Sequence, residues 1–119
     1  MKVVVNKILP PKGFTAINLF GVLFVRKSYL HRLSERVFRH ERIHTVQMRE
    51  MLFVFFYIAY FFERIYWLIR SLFNRKINPY RSISFEREAY EHEWDFDYLR
   101  YRKHFSAWRF HFHRLGETD

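Results

Sequence analysis

The stretch FRHERIHTVQ, residues 38 to 47, contains the pattern H-E-x-x-H, with His40, Glu41 and His44 in its fixed places. On an α-helix, residues four apart lie on one face, about 5–6 Å from each other, so the two imidazoles can bind one metal ion. Glu41 lies about 100° around the helix from His40, where its carboxylate can take a proton from a metal-bound water. The pattern therefore predicts a metal site with its own base, provided that the segment is helical.

The sequence around the motif predicts that helix. Ser34 and Glu35 supply an N-cap residue and a first-turn acid, and no Gly or Pro follows until Pro79. We therefore expect helix from Glu35 to Phe73, either continuous or broken. Upstream, the segment FTAINLFGVLFVRK, residues 14 to 27, is rich in β-branched and aromatic residues. That composition predicts two short strands or one bent strand.

The segment after the long helix is polar and contains Pro79, so residues 74 to 84 are predicted to form a loop. Ser82 or Ser84 is expected to cap the next helix, which begins near Phe85 and runs to about His104. We therefore predict an α+β fold that is mostly helical. A short β segment precedes the motif helix, which is followed by a broken apolar helix and a C-terminal helix.

The composition limits what this chain can be. Its 119 residues are enough for one small domain spanning residues 1 to 119. There is no cysteine, so any metal must be held by His and carboxylate groups. The net charge of +9 attracts anionic lipid or nucleic acid, but the sequence shows no zinc-finger, helix-turn-helix or RNA-binding pattern. The N-terminal apolar run is too short for a signal peptide, so we expect a cytoplasmic or membrane-associated protein.

A catalytic zinc ion needs a third protein ligand, and the stretch SFEREAYEHE, residues 84 to 93, offers several acids. Glu86 and Glu88 are the first of them. Acids at the start of a helix are also favoured by the helix dipole alone, which would explain them without any metal. The bare H-E-x-x-H pattern would arise by chance in about 3% of shuffled sequences of this composition. The acidic stretch therefore matters mainly because it follows the motif helix.

Together, the two stretches resemble the gluzincin zinc metallopeptidases, in which H-E-x-x-H on one helix is followed by E-x-x-A on a later helix. Glu86 fits the place of the third ligand, because Ala89 lies three residues on. Glu88 fits less well, because Glu91 stands three residues beyond it. Four residues after the third ligand the family has an Asp or Asn that orients a histidine, whereas this chain has Tyr90.

The stretch HERIHTVQ is also similar to the H-E-x-x-H-x-x-Q form of small bacterial gluzincin-like domains, with Gln47 in the last place. The resemblance implies a peptide or protein substrate and Zn²⁺ as the cofactor. Tyr90, one turn beyond Glu86, could donate a proton to a carbonyl oxyanion, although aromatic packing also explains it. The resemblance implies that the third ligand lies on the C-terminal helix and that the site consists of His40, His44 and Glu86 as metal ligands and Glu41 as general base.

The length of the predicted helix restricts how the third ligand can reach the motif. If that helix were straight, His44 would lie about 45 Å from its end, and the following loop can span at most about 35 Å. Glu86 could then not return to His44. We therefore predict a kink or turn near Tyr60 to Arg64. An unbroken helix would instead bring His111 and His113 towards the motif.

The segment Met51 to Ile69 is apolar enough to suggest a membrane. As a helix it would be about 28 Å long, close to the thickness of a bilayer core. Glu63 and Arg64 interrupt it, and the remaining apolar part favours an interfacial or buried core helix. The leading hypothesis is thus a zinc-dependent, metallopeptidase-like hydrolase. The alternative is a basic, aromatic-rich, membrane-associated protein without catalysis, in which zinc is structural or absent.

Overall fold

A computed structural model describes residues 1 to 110 and confirms the predicted α+β class, with helices predominating. The sheet has the strand order β1-β3-β2, in which β1 is parallel and β2 antiparallel to the central strand β3. Short 3-10 helices follow β3, at Lys27–Arg32, and α4, at Ser106–Phe110. The strands and helices are β1 (Lys2–Asn6), β2 (Ala16–Leu19), β3 (Val22–Arg26), α1 (Glu35–Glu50), α2 (Val54–Phe73), α3 (Ser84–His92) and α4 (Tyr98–Tyr101).

The β segment predicted for residues 14 to 27 is confirmed as the two strands β2 and β3. They are joined by a tight turn at Phe20 and Gly21, which both have positive φ, of 53° and 86°. Glycine suits this turn because a Cβ at Gly21 would lie 3.3 Å from a methyl group of Thr45 on α1. Strand β1 was not predicted, because its pairing with β3 joins residues that are far apart in sequence.

The motif helix begins where the sequence predicted. The hydroxyl oxygen of Ser34 accepts a hydrogen bond from the backbone N–H of Val37 at 3.2 Å, which caps α1. On the inner side of α1, Thr45 and the carbonyl of Glu41 each accept a hydrogen bond of 3.0 Å from the side-chain amide of Asn18. These bonds fasten strand β2 to the helix that carries the motif.

The predicted break near Tyr60 to Arg64 is wrong, because α2 is continuous there. The chain bends earlier, between the end of α1 and Val54, and the two helices meet at 112°. Leu52 and Phe53 adopt left-handed φ values of 53° and 60°. Bulky residues rarely adopt this conformation, so neither residue type predicts a bend. The turn closes with a hydrogen bond of 2.7 Å from the N–H of Phe53 to the carbonyl of Met48.

The start of α3 is capped by a residue from another helix. Its N-cap residue is Ile83, whose side chain has no polar atom, so the predicted capping by Ser82 or Ser84 is wrong. Instead, the buried carboxylate of Glu63 on α2 accepts hydrogen bonds from the N–H and the hydroxyl of Ser84, at 2.9 and 2.6 Å. This contact gives the acid within the apolar α2 a structural role.

The helix predicted from Phe85 to about His104 is also shorter than expected, because α3 ends at His92. The N–H of Asp95 donates to the carbonyl of His92 at 3.1 Å, and the chain turns back on itself. The ring of Tyr98 then stacks on the ring of His92, with their centres 3.7 Å apart. Tertiary packing of this turn therefore prevails over the helical periodicity of the sequence.

The structure describes residues 1 to 110. Within that range no single helix is both long and apolar enough to cross a bilayer. Helices α1 and α2 satisfy the criteria of length and composition only as a pair, across their bend of 112°.

Candidate metal centre

The buried face between α1 and α3 brings the three predicted ligands together. Oε1 of Glu86 lies 3.1 Å from Nε2 of His40 and 3.0 Å from Nε2 of His44, and the two Nε2 atoms are 3.1 Å apart. All three residues are buried, with exposed fractions of 3–7%. His40, His44 and Glu86 thus form a group that could hold a metal ion.

The hydrogen bonds of the two imidazoles decide which ring atoms face the centre. Nδ1 of His40 lies 2.7 Å from a carboxylate oxygen of Glu93, and Nδ1 of His44 lies 2.8 Å from Oε1 of Gln47. Both partners are acceptors, so Nδ1 carries the proton in each ring. In the neutral rings, Nε2 is then a lone-pair acceptor that points at the centre.

Gln47 is held so that its oxygen, not its nitrogen, faces His44. Its amide nitrogen donates to the carbonyl of Phe85 at 3.0 Å and to a carboxylate oxygen of Glu88 at 2.8 Å. Both are acceptors, which determines the orientation of the amide. Gln47 is 1% exposed. This side chain therefore connects the motif helix to α3 as well as orienting His44.

Three possible ligand atoms therefore converge within about 3 Å of one another, an arrangement that needs a positive charge among them, either a proton on His44 or a metal ion. Zinc bound tetrahedrally at about 2.0–2.1 Å holds its donor atoms about 3.3 Å apart, close to the spacing of this group. The imidazole nitrogens and the carboxylate oxygen are also the ligand atoms that divalent metals take from proteins without thiolates. The residues present thus fit a metal ion.

When no metal is bound, a proton on His44 balances the charge of the Glu86 carboxylate. Burial alone would lower the pKa of His44, but the neighbouring Glu86 carboxylate outweighs burial and raises that pKa to about 9. Burial would raise the pKa of Glu86, but the two histidines hold it well below its usual value. Because the Glu86 carboxylate is deeply buried and still ionised, it strongly favours a positive charge next to it.

Glu41 lies beside the centre, in the wall of a cavity of about 300 Å³ that also contains His44 and Glu86. Burial raises the pKa of the Glu41 carboxyl. A general base works best when its pKa lies near the operating pH, so this shift favours proton transfer by Glu41. Other parts of the wall are Ala16, Ile17 and Asn18 of the edge strand β2, and the phenols of Tyr57, Tyr60 and Tyr80.

Tyr60 contacts the centre directly and was not predicted to do so. Its hydroxyl donates to Oε2 of Glu86 at 2.7 Å, which leaves Oε1 facing the histidines. Tyr60 lies within a run of apolar and aromatic residues, and no sequence motif distinguishes it from its neighbours. Only the packing of α2 against α3 reveals this contact.

Tyr90, the predicted oxyanion donor, packs against the candidate ligand His40. Its ring meets the ring of His40 edge-on, with centres 4.5 Å apart, and the guanidinium of Arg81 stacks on it at 4.1 Å. Tyr90 is not among the described residues that line the cavity. The structure thus brings Tyr90 to the candidate metal ligand His40 but not to the cavity lined by Glu41, His44 and Glu86.

Glu93, seven residues after Glu86, is the acid whose carboxylate contacts Nδ1 of His40. Seven residues are two helical turns, so Glu93, the C-cap residue of α3, lies on the same side of the helix as Glu86. Besides contacting His40, the Glu93 carboxylate accepts from Arg36 at 3.0 Å. The sequence contains a sign of this arrangement, since Glu93 is an acid at a helical repeat from Glu86.

The other candidate ligands lie elsewhere. Glu88 is fully buried, but its carboxylate accepts from Tyr98, from Gln47 and from Nε of Arg102, the last at 2.5 Å. It is therefore engaged in a separate ion-pair network. His111 and His113 lie outside the described residues.

Comparisons of this chain with models of protein families, with curated proteins and with solved structures found no match.

Proposed function

We propose that this chain is a zinc-dependent hydrolase of the gluzincin type that cleaves peptide bonds. In this proposal His40, His44 and Glu86 hold Zn²⁺, and Glu41 is the general base. The observation that carries it is the convergence of three possible metal-ligand atoms beside a buried, cavity-lining carboxylate. Two imidazoles and one carboxylate leave the fourth position of a tetrahedral ion open, which is characteristic of catalytic rather than structural zinc sites.

The residues of the chain divide the chemistry between them. When bound, zinc would polarise a substrate carbonyl and lower the pKa of water to about 7. Glu41 takes the proton from the attacking water and later passes it to the leaving amine. Its raised pKa suits both steps, because the carboxyl can hold the proton between them. Gln47 and Glu93 keep the two imidazoles in the orientation that metal binding requires.

The position of strand β2 supports a peptide as the substrate. β2 is an edge strand, paired on one side with β3, and residues 16 to 18 form one wall of the cavity. An extended peptide can add to such an edge through backbone hydrogen bonds. Pairing along β2 would place a peptide bond near Glu41 and the metal ligands, which line the same cavity.

Elemental analysis of the purified chain tests the metal site. We expect about one zinc per chain, lost in Glu86→Gln and kept in Glu91→Gln. Glu91 is a matched control because it is an exposed acid on the same helix. A chain that neither contains nor takes up zinc, or that keeps it in Glu86→Gln, would contradict the assignment of ligands.

Hydrolysis of a fluorescence-quenched peptide library tests the activity. The zinc-loaded chain should cleave some of its members, and Glu41→Gln should keep the metal while losing at least about a hundredfold in rate. A fully loaded chain that cleaves no member of the library would indicate a structural zinc ion and overturn the proposed activity.

A further inference from the structure

The outward face of α2 is apolar along its whole length. The α2 stripe is defined here as the exposed apolar residues of this helix, at positions 54, 55, 58, 61, 62, 65, 68, 69, 72 and 73. Their exposed fractions run from 40% to 88%, with the highest values at Leu72 and Phe73. Steps of three and four residues place them on one side of the helix, and Arg64 lies at its edge.

The α2 stripe is larger than the apolar patches of ordinary soluble proteins. Its ten side chains expose on the order of 1,000 Å², whereas the largest patch on a typical monomer is about 300–600 Å². The helix is about 30 Å long, so the stripe crosses most of one side of the molecule. Exposed Phe20 and Leu52, with exposed fractions of 60% and 71%, extend it beyond the start of α2. A patch of this size indicates a binding surface.

The chemistry of the stripe favours lipid over a second protein. Every residue in it is Val, Ile, Leu or Phe, so no side chain there can form a hydrogen bond. Protein interfaces usually form about one hydrogen bond per 100–200 Å² and have a polar rim. A second copy of this chain would also bring two net charges of +9 together, whereas an anionic membrane would attract that charge.

The opposite face of α2 determines how the helix can meet a membrane. That face buries Phe56, Glu63 and Trp67 against the rest of the protein, and Tyr60 reaches the metal centre from it. The helix can therefore offer only one side to lipid, as helices lying in the plane of a membrane interface do. The exposed cations Arg75 and Lys76 directly follow its last turn, where lipid head groups would be within reach.

We propose that the α2 stripe binds the surface of an anionic lipid bilayer, with α2 parallel to the membrane plane and its apolar side chains in the boundary between head groups and acyl chains. This binding needs neither zinc nor catalysis, so it stands apart from the proposed hydrolase activity. If the chain both binds lipid and hydrolyses peptides, hydrolysis takes place close to the membrane surface. Tyr57 in the cavity wall lies only one helical turn from Phe61 of the α2 stripe.

Flotation of the full chain with phospholipid vesicles in a density gradient tests the proposal. Vesicles of phosphatidylcholine alone are compared with vesicles that also contain phosphatidylglycerol. The double variant Phe62→Glu with Leu72→Glu places two charges in the stripe. The matched control is Ile8→Glu, because Ile8 is also highly exposed, at 78%. Ile8 follows the end of β1 at which Asn6 pairs with Arg26, and the turn at Phe20, which contacts Tyr57 of α2, lies at the other end of the sheet.

We expect the wild-type chain and Ile8→Glu to float with the anionic vesicles, and the double variant to partition at least about tenfold less. Far-UV circular dichroism should be the same for all three, which shows that the variants fold. Failure of the wild type to float, or equal flotation of a folded double variant, would overturn the proposal. So would a wild-type dimer in solution that does not float and that the double variant converts to monomers, because a second copy would then cover the stripe.

Discussion

Replacement of Glu93 by Ala should weaken zinc binding although Glu93 does not contact the metal. In the wild type its buried carboxylate accepts the Nδ1 proton of His40 at 2.7 Å, and the side chain is only 6% exposed. A hydrogen bond to a charged group contributes about 1.5–3 kcal/mol, and removing such partners of metal ligands lowers affinity by about 10–100-fold. The ion pair between Glu93 and Arg36 contributes little, because the Arg36 side chain is 38% exposed and water screens its charge. We therefore expect a fall of about 10–100-fold in zinc affinity for Glu93→Ala.

The affinity can be measured by competition with a chromophoric zinc chelator at fixed pH and salt. Glu93→Gln keeps an oxygen acceptor but loses the charge, so its affinity should lie between those of the wild type and Glu93→Ala. Arg36→Met removes the guanidinium that donates to the Glu93 carboxylate and leaves His40 intact, so this variant should bind zinc nearly as well as the wild type. An affinity of Glu93→Ala within about twofold of the wild type would refute the reasoning, because orientation of His40 by this carboxylate would then contribute nothing.

Two further predictions concern stability and protons. Arg102→Ala should lower the free energy of unfolding in urea by about 3–5 kcal/mol, because it removes the guanidinium that lies 2.5 Å from the fully buried carboxylate of Glu88 and 2.9 Å from that of Glu50. Arg100→Ala is the control, since that side chain is 86% exposed, and equal unfolding curves for both variants would contradict the prediction. Zinc binding at pH 7 should release protons, because the pKa of His44 is raised to about 9 without metal, and affinity should therefore rise with pH up to that value. Calorimetric titrations in buffers of different ionisation enthalpy measure this release, and an enthalpy independent of the buffer would contradict it.

The position of the bend between α1 and α2 could not be predicted from sequence patterns. The predicted lengths of helix and loop correctly require that the chain turn before Glu86 can reach His44. They do not locate the turn, because Leu52 and Phe53 are residues that rarely adopt positive φ. Their conformation is stable because the surrounding structure holds it, as in the contact of Phe20 with the ring of Phe53.

The choice between two neighbouring acids illustrates the same limit. Glu86 and Glu88 are two residues apart, so they point about 200° apart around α3. Glu86 faces the histidines, and Glu88 faces the guanidinium of Arg102. Only the E-x-x-A resemblance favours Glu86 in the sequence. The side of α3 that meets α1 is decided by packing.

The sequence by itself determines what depends on neighbours along the chain. The four-residue spacing of His40 and His44 on one helix face and the Ser34 cap both follow from helix geometry, which acts over a few residues. The tertiary structure alone decides the contacts of Glu93 with His40 and of Tyr60 with Glu86, and the pairing of β1 with β3. These depend on how distant segments pack, and the identity of a single residue carries little information about a partner that lies far away in the chain.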